Sequence, residues 1–198
     1  MEEIMGNFYT SIAIKANDLD SIIRFLNKKK RVSFVSKPDN DFIYLYDQEC
    51  EQNPEQITQL CKEISSEFKC PALAFNNHDD DVLNYWLFVD GKEIDQYDSA
   101  PDYFETAEGM PPKGGDPVKL CNIFDCQNDV EKLGDILHKE SFENNSYFFA
   151  YARHEMICEI LGLNFQLSAL SFELIERGDI ESKNADEFIE IANTADTH

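Results

Sequence analysis

FYTSIAIKANDLDSIIRFLNKKKRVSFVSKPDNDFIYLY, residues 8–46, is the stretch on which the fold turns. Phe8–Lys15 alternates and is rich in β-formers, so it reads as a strand. Asn17 or Asp18 then caps a helix whose apolar positions, Leu19, Ile22, Ile23 and Leu26, follow the i, i+3, i+4, i+7 spacing of one buried face. Lys28, Lys29, Lys30 and Arg31 close it, placing cations at the negative end of the helix dipole. Val32–Val35 forms a second strand, Pro38–Asp41 a turn and Phe42–Tyr46 a third strand.

Working outward, Asn53-Pro54-Glu55 opens a second helix, with proline at its favoured first position and Ile57, Leu60, Cys61, Ile64 and Phe68 on one face. Pro71–Phe75 makes a fourth strand. The order β-α-β-β-α-β is that of a ferredoxin-like split unit in an α+β protein, with both helices on one face of an antiparallel sheet. Val82–Val89, the Asp90-Gly91 turn and the return over Lys92–Tyr97 extend that sheet by a hairpin. The α+β module thus spans residues 6–98.

Residues 99–117 hold four prolines and three glycines and read as an irregular loop, of a length that usually serves function or linkage. A mainly helical part packed on the sheet is expected over 118–180. Its helices fall at Val118–Phe124, Asp129–Leu137, Arg153–Leu161 and Leu167–Ile175, with Gly162 and Gly178 as stops. Tyr147–Tyr151 reads as a short strand or buried segment. Residues 181–198 form an acidic tail, with a short helix over Phe188, Ile189 and Ile191 and a mobile extreme terminus.

The formal net charge is −22, and it is uneven. Residues 1–37 carry seven Lys/Arg against four Asp/Glu, so the remainder totals −25. Asp79–Asp116 is the densest block, with eleven acids against Lys92 and Lys113. Such a field repels nucleic acid and anionic membrane and attracts basic partners or cations. With 15 Phe, 8 Tyr and one Trp the chain has core material enough to fold despite its charge. No apolar run approaches the roughly 20 residues needed to span a bilayer. The N-terminus lacks signal-peptide features, which makes a cytoplasmic location the default. Six scattered cysteines without a C-x-x-C are expected to be reduced and mostly buried; Cys121 and Cys126, the close pair, have no histidine at zinc-finger spacing.

Asp79, Asp80 and Asp81, beside His78, are the sharpest candidates for chemistry. Carboxylates at strand ends build Mg²⁺ or Ca²⁺ sites. Neighbouring strand residues point to opposite faces, however, and the EF-hand pattern fails, with Asn84 at its sixth position and Asp90 at its twelfth. Asp95, Asp98, Asp102 and Glu105 interleave with Tyr97, Tyr103 and Phe104, a mixture suited to recognising a basic protein. Gly114-Gly115-Asp116 has the look of a phosphate loop but lacks its motif, and reads as a turn feeding a helix capped by Asp116. His154-Glu155-Met156-Ile157-Cys158 starts like a zincin helix but has Cys158 where the second histidine belongs. His154 is therefore read as a packing residue.

Asp79-Asp80-Asp81-Val82-Leu83, Tyr85-Trp86, Asp98-Ser99, Pro101, Tyr103-Phe104 and Gly114-Gly115-Asp116 resemble an uncharacterised bacterial family, as do Leu161-Gly162-Leu163 and Ile175-Glu176 with Gly178. The resemblance covers most of residues 6–180 and implies that the aspartate-rich hairpin and the loop after it belong to a shared framework. It implies no activity.

These readings favour a non-enzymatic, acidic protein-binding module with no cofactor. Its concrete version is an immunity or inhibitor protein that neutralises a basic toxin such as a nuclease. The expected partner surface is Asp79, Asp80, Asp81, Asp95, Tyr97, Asp98, Asp102, Tyr103 and Phe104. The alternatives are a divalent-metal-dependent hydrolase using Asp79–Asp81 with Asp98 or Asp102, and a purely structural module.

Overall fold

All six residues of the strand Tyr9–Ile14 (β1) are buried. A strand covered on one face would bury every second residue, so β1 must be covered on both. The computed structural model, which describes residues 7–103, 105, 110–139, 149–180 and 187–192, shows why. It is a mixed α+β fold in three layers, helices–sheet–helices.

The first helix, α1 (Leu19–Lys28), starts where Asp18 accepts the Ser21 N–H at 3.0 Å and buries Ile22, Phe25 and Leu26. After β2 (Ser33–Ser36) and β3 (Ile43–Asp47), Asn53 caps α2 (Pro54–Phe68), whose buried face includes Ile57, Leu60, Cys61 and Ile64. Next come β4 (Pro71–His78), β5 (Val82–Val89) and β6 (Lys92–Asp98). Among the described residues the sheet has eight strands, all antiparallel, and seven α-helices accompany it.

The sheet order is β7-β6-β5-β4-β1-β3-β2-β8, where β7 is Lys113–Gly114 and β8 is Phe188–Ile191. The four strands of the expected ferredoxin-like unit are consecutive within it, but the sheet is twice that size and grows at both ends. Growth by the β5–β6 hairpin was expected; growth by β7 and β8 was not.

Helices α1 and α2 pack on one face with Ile12, Ile14, Ile43, Leu45, Ala72, Ala74 and Phe88. The opposite face carries Tyr44, Tyr46, Leu73, Phe75, Tyr85 and Tyr97 against five helices: α3 (Pro117–Phe124), α4 (Val130–His138), α5 (Ala150–Leu161), α6 (Phe165–Ser168) and α7 (Phe172–Arg177). Burying each large side chain in these two cores contributes about 1.5–3 kcal/mol. The second helical layer is what turns a half-wet antiparallel sheet into one buried on both faces.

Three local expectations are corrected. Phe188–Ile191 is a strand paired with β2, not a helix, because its apolar side chains reach the sheet edge and its backbone finds the free edge of β2. The single helix expected over Leu167–Ile175 is two short ones, broken where Ser171 caps α7 by accepting the Leu174 N–H. Ala150 and Tyr151, read as the end of a strand or buried segment, begin α5; Tyr147 and Phe148 lie outside the described residues. The tail outside 187–192 and its expected mobility lie outside them too.

Candidate functional site

The β4–β5 connection is a tight turn built from aspartates. Asp81 N donates to the His78 carbonyl at 3.1 Å, and Asp79 and Asp80 take φ of 56° and 58°. Two successive left-handed residues suit Asp better than most side chains. Part of the acidic run is thus turn chemistry.

Asp80 is also a fastener. Its carboxylate accepts from Asn7 Nδ2 at 2.8 Å and from Asn77 Nδ2 at 3.1 Å, and its carbonyl accepts from Ala150 N at 2.8 Å. It therefore ties the segment before β1, the end of β4 and the start of α5 together. Asp81 accepts from the Tyr103 hydroxyl at 2.8 Å. That bond, with burial and the negative charges of Asp81 and Asp79, pushes the Tyr103 phenol up to about 12. Asp79 is exposed.

Rings of Phe8, His78 and Tyr103 meet at this turn, and the backbone of Ala150 joins it. Phe8 meets His78 edge-on at 4.9 Å, and His78 meets Tyr103 at 6.1 Å. Phe149 and Tyr151 flank Ala150, which is bonded to Asp80. Phe8, Tyr103, Phe149 and Tyr151 are 44%, 37%, 53% and 37% exposed, a high share for bulky rings. The sequence reading found Tyr103 but missed Phe8, Phe149 and Tyr151. Nothing local marks them, because only tertiary structure brings residues 8, 103 and 149–151 to one place.

The remaining expected residues are dispersed. Asp95 accepts from the Tyr85 hydroxyl at 2.6 Å and from Asp116 N at 2.8 Å, joining β5, β6 and the cap of α3. Tyr97 is buried, stacked on Tyr85 at 5.3 Å; it donates to the Leu137 carbonyl at 2.8 Å and accepts from the buried Arg153. Asp102 is buried and accepts from Met110 N at 2.7 Å. Asp98 accepts from Ala100 N at 3.0 Å and lines a recess on the α1/α2 face of the sheet. Phe104 lies outside the described residues. Among the described residues no group of three or more His, Cys, Asp or Glu is placed to hold a metal ion.

His154 occupies the interior between β1, α5 and α6. Its Nδ1 is 2.8 Å from the Tyr9 hydroxyl, its Nε2 3.0 Å from Ser168 Oγ, and Ser11 donates to the Ser168 carbonyl at 2.6 Å. Burial alone holds its pKa down at about 3, so the ring is neutral near pH 7. Glu51, before α2, accepts from Phe172 N at 3.0 Å; burial pushes its carboxyl up to about 7.

The Lys28–Arg31 cluster carries no broad basic face. Lys29 pairs with Glu63 at 2.8 Å, and Arg31 binds the buried Asp47, which caps the 3₁₀ turn over Gln48–Cys50. All six cysteines are free thiols and only Cys126 is more than slightly exposed. No helix among the described residues is long and apolar enough to cross a membrane. Comparison of the chain with protein-family models, with curated proteins and with solved structures found no match in any of the three.

Proposed function

We propose that the protein is an acidic binding module, built on a ferredoxin-like core, whose β4–β5 turn and surrounding aromatics engage a basic protein. The observation that supports this most directly is the placement of the exposed Phe8 and Tyr103 against His78 beside Asp79–Asp81, with the exposed Phe149 and Tyr151 flanking Ala150, whose N–H bonds Asp80. Rings supply desolvated anchors, and carboxylates steer a cationic partner and reject anionic ones. The turn is held rigid by Asp80, so little ordering is left to be done on binding. In its concrete form this is an immunity or inhibitor protein acting on a cationic toxin such as a nuclease.

The test is binding to the basic protein that the intact chain recovers from its native host. Tyr103→Ala and Asp79→Asn, both at exposed positions, should each weaken the complex. Affinity should fall about tenfold or more as salt rises from about 50 to 200 mM. A partner held equally well by both variants and at both salt concentrations refutes the reading.

A further inference from the structure

The α1/α2 face of the sheet carries a feature that partner binding at the turn does not use. Thr10 pairs with Asn76 between β1 and β4, Asn76 with Asn84 between β4 and β5, Asn84 with Asp98 between β5 and β6, and Asp98 with Lys113 between β6 and β7. One polar residue from each of five adjacent strands thus forms a continuous row. In the next row of the register, Ile12 and Ala74 belong to the apolar core beneath the helices, Trp86 is partly buried against that core, and Gln96 is exposed.

Polar side chains at interior sheet positions are costly unless they are bonded. At the closed end of the row they are: Thr10 donates to Asn76 at 2.9 Å and accepts from Gln52 N at 3.1 Å. The open end differs. Gln96 and Lys113 are exposed and Asn84 and Asp98 half-buried, so their polar atoms face solvent rather than the interior; Asn84 and Gln96 make no side-chain hydrogen bond among the described residues, and Asp98 and Lys113 form no ion pair.

This open end is concave. Asn84, Trp86, Gln96, Asp98, Pro101 and Lys113 line a recess of about 370 Å³, within the range of small-ligand sites. Its outer wall depends on close backbone approach. Gly115 N donates to the Gln96 carbonyl at 2.8 Å, and a Cβ on Gly114 would fall on that same oxygen, so glycine is required for β7 to lie there.

We propose that this recess binds a neutral, polyhydroxylated ligand of the saccharide class. Its one carboxylate and one ammonium cancel, and a chain of net charge −22 repels anionic ligands. With no net charge of its own, the recess selects a ligand by shape and by the pattern of its hydrogen-bonding groups rather than by charge. An indole wall takes an apolar ring face, while Asn84, Asp98 and Lys113 in one row, with Gln96 beside Trp86 in the next, offer donors and acceptors to hydroxyl groups spaced along a ring edge. A pyranose presents both surfaces together, C–H groups on its face and hydroxyls around its rim.

Trp86 is the sole tryptophan and lines this recess, so its fluorescence probes the site directly. The intact protein is titrated with glucose, galactose, N-acetylglucosamine, maltose, cellobiose and lactose, with glucuronic acid and glycine as charged comparators. Saturation-transfer NMR on the same samples detects contact that leaves the emission unchanged. At least one neutral sugar should saturate a Trp86 response and the comparators should not. Asn84→Ala and Gln96→Ala should each weaken that binding about tenfold while leaving the melting temperature in place. Silence in both measurements for every neutral sugar overturns the proposal, as does binding that both variants retain. Tyr103→Ala, at the turn, should leave sugar binding unchanged, so this site and the partner surface stand or fall separately.

Discussion

The ring of His154 and the carboxyl of Glu51 act on stability from opposite sides of neutral pH. His154 is held at about 3 in the fold against an ordinary value of 6.5, so between those values the unfolded chain binds a proton that the folded chain refuses. Stability is full above about 6.5 and falls toward pH 3 at up to about 1.4 kcal/mol per pH unit. His154→Gln, which cannot be protonated there, should flatten the acid limb of chemical denaturation midpoints measured from pH 7 to 4; an unchanged limb would assign acid sensitivity elsewhere. Glu51 is raised from 4.5 to about 7, so its contribution is full below 4.5 and lost as pH rises through 7. Glu51→Gln keeps an acceptor for Phe172 N and carries no charge. It should stabilise the protein at pH 8 by on the order of 2 kcal/mol and change nothing at pH 4, as read from urea midpoints.

The elements that the sequence made legible are those whose pattern is local. Strands β1 to β6 and helices α1 and α2 carry local apolar patterns, with the helices opening at the Asp18 and Asn53 caps, and the structure places them within a few residues of expectation. Strands β7 and β8 have no such signature. Two residues cannot show a period, and β8 exists because its partner β2 lies far away in sequence. The candidate site divides in the same way. The acids of Asp79–Asp81 were visible as charge, but the tie from Asp80 to Asn7, Asn77 and Ala150, and the row from Thr10 to Lys113, arise only from strand register. Both cryptic strands can be tested. Gly114→Ala forces a methyl onto the Gln96 carbonyl at a positive φ and should cost about 2 kcal/mol or more, measured by urea unfolding. Ile191, 3% exposed in the α1/α2 core, should cost about 2–4 kcal/mol on substitution by Ala; a cost near zero would mean that β8 is not docked as described.

At the scale of the whole molecule, a net charge of −22 makes the compact state repel itself. Raising sodium chloride from about 20 to 500 mM shortens the screening length severalfold and should raise the melting temperature. A melting temperature that stays flat or falls would show that the carboxylates are already balanced locally, as Asp47 is by Arg31. The three-layer build has one more consequence, during synthesis. The outer edge of β2 is covered by β8, and Lys37 N continues the ladder to the Glu187 carbonyl at 2.8 Å. On a ribosome adding 5–20 residues per second, Ser36 emerges on the order of ten seconds before Phe188 can pair with it. For that interval the nascent chain displays an open strand, bracketed by Arg31 and by Lys37-Pro38, whose charges and missing N–H discourage foreign strands from joining it. The closing strand of the sheet therefore also ends the interval in which this edge stands open.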